Sequence, residues 1–270
     1  MTDAYSAMTT FIRQLDSGHL SDCHVLEWGC PVPFFGDVST ARVATVGINP
    51  SNREFVDSSG FELQGDAQRL PTLSSLDADS WSQVDAVGVR TIVGACRDYF
   101  LGNPYDRWFG VLERVLGRIP SSFYGQDSSA CHFDLVPFAT AKKWGELQSL
   151  DRDVLLEASA ASFGGLLADS PVSLLLLNGR SVVNEFQSMA DVSLEETLMP
   201  SWDLPRSNSA NVPGIAYSGW VSTIGGTDLR GPVRVLGYNH NLQSSFGVTS
   251  RVVHEIAGWL SEQSSAIRRA

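Results

Sequence analysis

The residues with chemistry to offer gather where an extended run gives way to a turn. Val46-Gly47-Ile48-Asn49-Pro50-Ser51-Asn52-Arg53-Glu54-Phe55 follows a valine-rich segment. Gly47 permits a tight departure from that segment, and Pro50 fixes the backbone after Asn49. The Asn49 carboxamide is thereby held where its oxygen can orient a water molecule, although an amide has no strength as a base. Glu54 and Asp57, a few positions on, supply carboxylates that can take a proton. Ser51 or Asn52 can cap the next turn. By composition these are ordinary turn formers, so their chemistry depends on what the rest of the chain brings beside them. Other polar groups end apolar runs in the same way: Asn178 after Val172–Leu177, and His240 shortly after Val233–Leu236. His132 and Asp134 alternate onto one face of theirs, the spacing of a hydrogen-bonded pair or of two metal ligands with no third apparent.

Each of these groups needs an element to carry it. Ala41–Val46, Ala130–Val136 (stopped by Pro137), Val172–Leu177 and Val233–Leu236 read as strands. Val172–Leu177 is a continuous apolar run of the kind buried on both faces. Apolar spacing of three and four predicts helices over Val87–Phe100, Trp108–Leu116, Asp151–Leu167, with Asp151 as the cap, and Ser250–Leu260. Strands separated by helices predict an α/β fold: a three-layer α/β/α sandwich around a central, mainly parallel sheet of four strands. In such sheets ligands bind beyond the C-terminal strand ends, which is where the polar groups above fall. Met199 to Gly231 departs from the pattern and reads as a long loop leading into a β-hairpin whose second strand enters the core sheet. No repeat or low-complexity linker interrupts the chain, so residues 1–270 read as one domain with its core over roughly residues 40–260.

Bulk properties narrow the classes. The apolar fraction of 43% suits a folded protein. No run reaches the ~18 apolar residues of a membrane span, and Met1–Tyr5 opens no secretory signal, so a cytoplasmic protein is expected. The net charge of −11 argues against broad, unspecific coating of nucleic acid, because such affinity comes from Lys and Arg. It leaves room for a local basic groove in an acidic body. Cys23, Cys30, Cys96 and Cys131 are scattered without a C-x-x-C pair, which disfavours a disulfide framework, a zinc site or an iron–sulfur cluster and suits buried structural residues. The single glycine after Val46 does not make G-x-G-x-x-G, and neither G-x-x-x-x-G-K nor G-x-S-x-G occurs. A dinucleotide oxidoreductase, a P-loop triphosphatase and a serine hydrolase are therefore disfavoured. No cofactor or metal is expected, and a monomer is.

Gly47-Ile48-Asn49-Pro50-Ser51, placed after the first valine-rich strand, resembles the first motif of the uracil-DNA glycosylase superfamily. The likeness is to the mismatch-specific and single-strand-selective branches, which read G-[IM]-N-P-G with Asn where other branches have Asp. The family's second motif, a His-Pro-Ser-Pro-type loop between the last core strand and the final helix, is similar in place to Leu236–Ser245, which keeps His240 but neither proline. His132–Phe138 and Leu175–Ser181 resemble the family's strand ends beside the base pocket. The resemblance covers the core and implies a DNA glycosylase, hydrolysing the N-glycosidic bond of a flipped-out damaged or modified pyrimidine in DNA to leave an abasic site. It implies that Asn49 positions water and that His240 serves the leaving base or the adjacent phosphate; Glu54, just beyond the loop, is the secondary catalytic candidate as a carboxylate. Gly47, Ile48, Pro50 and Asn178 would line the base pocket, with Phe55 as the stacking face. Ser51, Asn239, Ser244 and Ser245 would contact the DNA backbone, and Leu242 would wedge into the emptied stack. Arg53, Lys142 and Lys143 would add positive charge at the same mouth. The insertion over 52–130, dense in aromatics, is expected to widen the pocket for a bulky base such as glucosylated hydroxymethylcytosine in phage DNA, which would make the protein a phage-defence enzyme. The alternative is a non-catalytic nucleic-acid-binding module that retains the fold.

Overall fold

A computed structural model describes residues 2–124, 129–207 and 210–267. The valine-rich segment becomes β2 (Val43–Gly47), which is buried along its whole length. Around it lie β1 (Phe34–Phe35), β3 (Ala130–Asp134), β4 (Leu174–Asn178), β5 (Glu195–Leu198), β6 (Ile215–Ile224) and β7 (Thr227–Tyr238) in one sheet of seven strands, ordered β1-β3-β2-β4-β7-β6-β5. β3, β2, β4 and β7 are parallel neighbours, while β1, β6 and β5 pair antiparallel at the two sides. The sheet is thus mixed and wider than the four strands expected. The four anticipated strands are its centre; β6 joins them as a ten-residue strand, and the two edges are short, β1 with two residues and β5 exposing Glu195 and Glu196. Charge on an edge strand discourages pairing with a further chain.

The anticipated hairpin is β6–β7. Gly225 and Gly226 form its turn with φ of +56° and +75°, the double left-handed geometry that glycine adopts without strain. The second strand runs on for 12 residues into the centre of the sheet, where Leu236, Gly237 and Tyr238 sit opposite Leu176, Leu177 and Asn178.

Alternation along β3 shows what covers the sheet. The His132 ring lies 5.1 and 5.4 Å from Trp108 and Phe109 of α3 (Asp106–Leu116), whereas Phe133 meets Phe163 of α4 (Ser149–Asp169) at 5.6 Å. Successive strand residues face opposite sides, so these helices lie on opposite faces. Here α denotes also α1 (Thr2–Asp16), α2 (Ala86–Arg97), α5 (Arg180–Ala190) and α6 (Ser250–Ile267). α1 packs on α4 and α2, and α6 packs on α3. Helix boundaries differ from the sequence reading: α3 begins at Asp106 and α6 runs on to Ile267. α2 begins one residue early because Asp85 accepts from the Val87 and Gly88 amides, and it ends at Arg97. α4 begins at Ser149, so Asp151 lies inside the first turn and its carboxylate accepts from the Gln148 amide. Among the described residues no helix is long and apolar enough to cross a membrane.

Candidate functional site

The C-terminal ends of the parallel strands open into one cleft of about 810 Å³. The loop after β2 forms one wall, residues 140–146 beyond β3 another, and the start of α5 with the turn after β7 the rest. Its charge departs from that of the whole molecule. Arg53, Lys142, Lys143 and Arg180 line it against a single carboxylate, Glu146, in a chain with 30 acidic residues and 19 basic ones. Lys142 and Lys143 are moreover the only two lysines of the sequence. The first turn of α5 contributes Ser181 and Val182 to the wall, so helix amides add to the positive field. Trp108 and Trp144 offer aromatic faces beside these cations.

Asn49 stands at the rim. Its Nδ2 donates to the Phe138 carbonyl and to Thr140 Oγ1, both at 3.1 Å. With both amide hydrogens engaged, the carboxamide oxygen is the free end. Asn49, Pro50 and Ser51 line the cleft and also a second, smaller chamber of about 50 Å³. That volume holds about one or two water molecules. Its walls carry Glu54, His132 and Asp134 among the rings of Phe35, Trp108 and Phe109.

The chamber groups are buried and paired. Glu54 accepts from the Tyr99 hydroxyl at 2.6 Å, and Tyr99 Oη in turn accepts from the Tyr105 amide at 2.9 Å. Burial raises the Glu54 carboxyl from 4.5 to about 7, against the lowering pull of the Tyr99 hydrogen bond and of Arg69. Asp134 is also pushed up by burial, with His132 opposing. His132 is held between Thr45 Oγ1 at 2.7 Å from Nδ1 and Asp134 Oδ1 at 3.3 Å from Nε2. Gly47 makes this possible: a Cβ there would overlap Asp134 Oδ1 and lie 2.9 Å from His132 Nε2. Gly47 pairs with Asp134 and Thr45 with His132 across β2 and β3. The glycine of the motif is therefore required by close approach of the neighbouring strand's side chains. We expect Gly47→Ala to cost about 1–3 kcal/mol by overpacking, read as a lower midpoint in urea denaturation, with the His132–Asp134 pair displaced into the chamber.

The other anticipated residues divide. Ile48, Pro50, Ser51, Asn178, Asn239, Ser244 and Ser245 do line the cleft with Asn49. Several are bound within the protein. Ser51 Oγ accepts from the Arg53 amide at 3.2 Å. Asn178 donates to Gln243 Oε1 at 2.7 Å and accepts from the Leu242 amide at 3.2 Å. Asn239 ties Ile215 and Pro213 at 2.9 and 2.8 Å. These asparagines hold the cleft wall in shape, and their side-chain bonding leaves little for a base. Ser244 and Ser245 lie in a turn, since α6 begins only at Ser250.

Three expectations are not met in space. His240 is buried, 2% exposed, and its Nε2 donates to the Trp202 carbonyl at 2.9 Å; it does not line the cleft. Burial holds its pKa below the ordinary imidazole value, which leaves it neutral. The segment after β7 turns this ring inward. Leu242 is buried rather than presented as a wedge, and Phe55 is a core residue packed edge-on against Trp28 at 6.0 Å. The aromatic insertion also behaves otherwise than expected. Tyr99, Phe100, Phe109 and Phe123 are buried in mutual contact, with Phe100 and Phe123 stacked at 4.6 Å. They fill the space beside the chamber instead of widening it.

Sequence reasoning left Arg180 and Trp144 unassigned, and read Tyr99 only as part of an aromatic-rich insertion. The adjacency Lys142-Lys143-Trp144 in a chain with no other lysine was the available signal. Tyr99 left none, because its partner is 45 positions away. The four cysteines are buried and free. Among the described residues no three His, Cys, Asp or Glu side chains are placed to hold a metal ion. No protein-family model matches the chain, and no curated protein is detectably similar to it.

Proposed function

We infer that the chain is a DNA glycosylase with the fold of the uracil-DNA glycosylase superfamily. The observation that carries this reading is the shared rim: Asn49, Pro50 and Ser51 border both a cationic cleft and a small chamber lined by Glu54. The parallel set β3-β2-β4-β7, with the G-I-N-P-S loop at the end of its second member, supports it further.

In this reading Arg53, Lys142, Lys143 and Arg180 hold the phosphates, and Trp108 and Trp144 receive a nucleotide swung out of the stack. A water in the chamber is oriented by the Asn49 oxygen and gives a proton to ionised Glu54. Its oxygen bonds to C1′ as the C1′–N bond breaks, and the bonding pair leaves with the base, which then takes up a proton. The sugar passes through an oxocarbenium-like state that the nearby carboxylate stabilises. The base is uracil-like or a bulky modified cytosine of phage DNA. A large substituent draws on the open volume of the cleft. The enzyme would act as a monomer in the cytoplasm, without a cofactor.

The test is incubation with single-stranded and duplex DNA carrying uracil, hydroxymethylcytosine or its glucosylated form, followed by alkaline cleavage at abasic sites. Strand breaks at one of these bases are expected. DNA binding with no break on any of them would sink the enzyme and favour a binding module, the rival that draws on the inward placement of His240.

A further inference from the structure

A second groove, of about 260 Å³, lies between α3 and α6. Arg114 and Arg118 project from α3 at its edge, with Val111, Val253 and Ala257 as the apolar floor. Arg118 donates to His254 Nδ1 at 3.1 Å, whereas Arg114 has no hydrogen bond or ion pair among the described residues. No acidic residue lines the groove. The cleft and this groove together hold six Lys and Arg against one carboxylate, in a chain whose acids outnumber its bases by 30 to 19. Such local reversal of sign is a binding feature and is unlike the surrounding surface.

The two cavities are neighbours. Trp108 of the cleft lies one turn before Val111 of the groove on α3, and the segment after β7 separates them. Asn241, Ser244 and Ser245 face the cleft, while Leu242, Val248 and Thr249 face the groove. Between them Phe246 lines neither and is 80% exposed. It is nonetheless held: the Arg206 guanidinium lies 5.2 Å from its ring centroid and donates to its carbonyl at 2.9 Å. An exposed ring on a braced loop, whose preceding residues line one cation-bearing cavity and whose following residues line another, has the layout of a nucleobase-stacking platform between two backbone contacts.

We propose that a DNA strand held in the cleft continues over Phe246, which stacks on a base, and lays its next phosphates in the α3–α6 groove against Arg114 and Arg118. This rests on the nucleic-acid reading of the cleft and extends its footprint to the other side of the loop.

The test is fluorescence anisotropy of a labelled unmodified DNA oligonucleotide, single-stranded and duplex, with the full chain at a series of salt concentrations. Arg114→Ala with Arg118→Ala should weaken binding about tenfold and lower the slope of log affinity against log salt by about 1.5, the value for two lost phosphate contacts. Phe246→Ala should weaken binding about tenfold with the slope unchanged. Arg13→Ala, an exposed cation on α1, should change neither. All these side chains are exposed, and thermal melts check that the variants fold. If wild-type chain binds DNA and the groove variant keeps its affinity and slope, the groove is off the path while the cleft reading stands. Failure of wild type to bind any DNA overturns both. Polyglutamate binding as tightly as DNA, and weakening equally in the groove variant, would assign the groove to an acidic protein and overturn the proposal.

Discussion

Glu54→Gln should slow base release severely and, at pH 8, make the protein more stable. The two effects share one cause. Glu54 is 3% exposed, and its carboxyl titrates near 7 because burial penalises the charged form. In the unfolded chain it titrates near 4.5. Between these values the folded state holds a proton that the unfolded state has released, so stability falls as pH rises through this window. Above about 7 the folded protein carries a buried carboxylate, and the gap between 4.5 and 7 corresponds to a cost on the order of 3 kcal/mol. Glutamine keeps the shape and can still accept from the Tyr99 hydroxyl, but it cannot ionise. The melting temperature of the variant should exceed that of wild type by roughly 5 °C at pH 8 and by little at pH 4.

The proposed reaction needs the same charge that folding resists. In wild type the rate of base release should climb with pH and level off above about 7, as Glu54 ionises. The variant should lose on the order of 10²–10⁴ in rate, the usual worth of a positioned base. Abasic-site formation across pH 5 to 9, read beside melting curves at the same values, checks both halves. A rate in wild type that ignores pH, or a stability gain of equal size at pH 4 and pH 8, would remove Glu54 from the role of base.

The legible part of this molecule was what short-range pattern encodes. The valine run of β2, the leucine run of β4 and the Gly225-Gly226 hairpin announce themselves by burial period and turn chemistry, and the structure places all of them. β1 and β5 carry no such signal: two phenylalanines suffice for one, and the other is exposed and acidic. The place of Asn49 on the cleft was legible because Gly47 and Pro50 bracket it in sequence. It was misjudged at His240, where a loop position that suits a cleft residue is also reached by a ring turned inward to the Trp202 carbonyl. Local sequence does not distinguish the two orientations; packing of the segment after β7 decides between them. Leu242 and Phe246 repeat the lesson. Both are apolar residues of one loop, and only the fold determines that Leu242 is buried and Phe246 exposed.

Asn49→Asp should be worse than Asn49→Ala, even though other branches of the family that the loop resembles carry Asp at this place. In this protein the asparagine is a tether as well as the proposed water holder. Its two amide hydrogens go to the Phe138 carbonyl and Thr140 Oγ1. Thr140 is already donating its own hydroxyl hydrogen to the Lys142 carbonyl at 2.7 Å, so it offers Asn49 only a lone pair. A carboxylate at position 49 would face two acceptors and no donor. Removing a partner and leaving a polar group unsatisfied costs about 1–3 kcal/mol, and like-charged oxygens add repulsion. The loop after β2 would pull away from the segment bearing Lys142 and Lys143, opening the rim that joins cleft and chamber. Alanine forfeits the tether without introducing repulsion. In urea denaturation at pH 7.5 the order of stability should be wild type, then Asn49→Ala, then Asn49→Asp, and the aspartate penalty should shrink at pH 4 as the carboxyl protonates. Base release should fall at least about a hundredfold in both, since neither presents an anchored amide oxygen to the water. An Asn49→Asp protein as stable and as active as wild type would mean that the Phe138–Thr140 tether does not set the geometry of the loop, and that the water is held by some other group in the chamber.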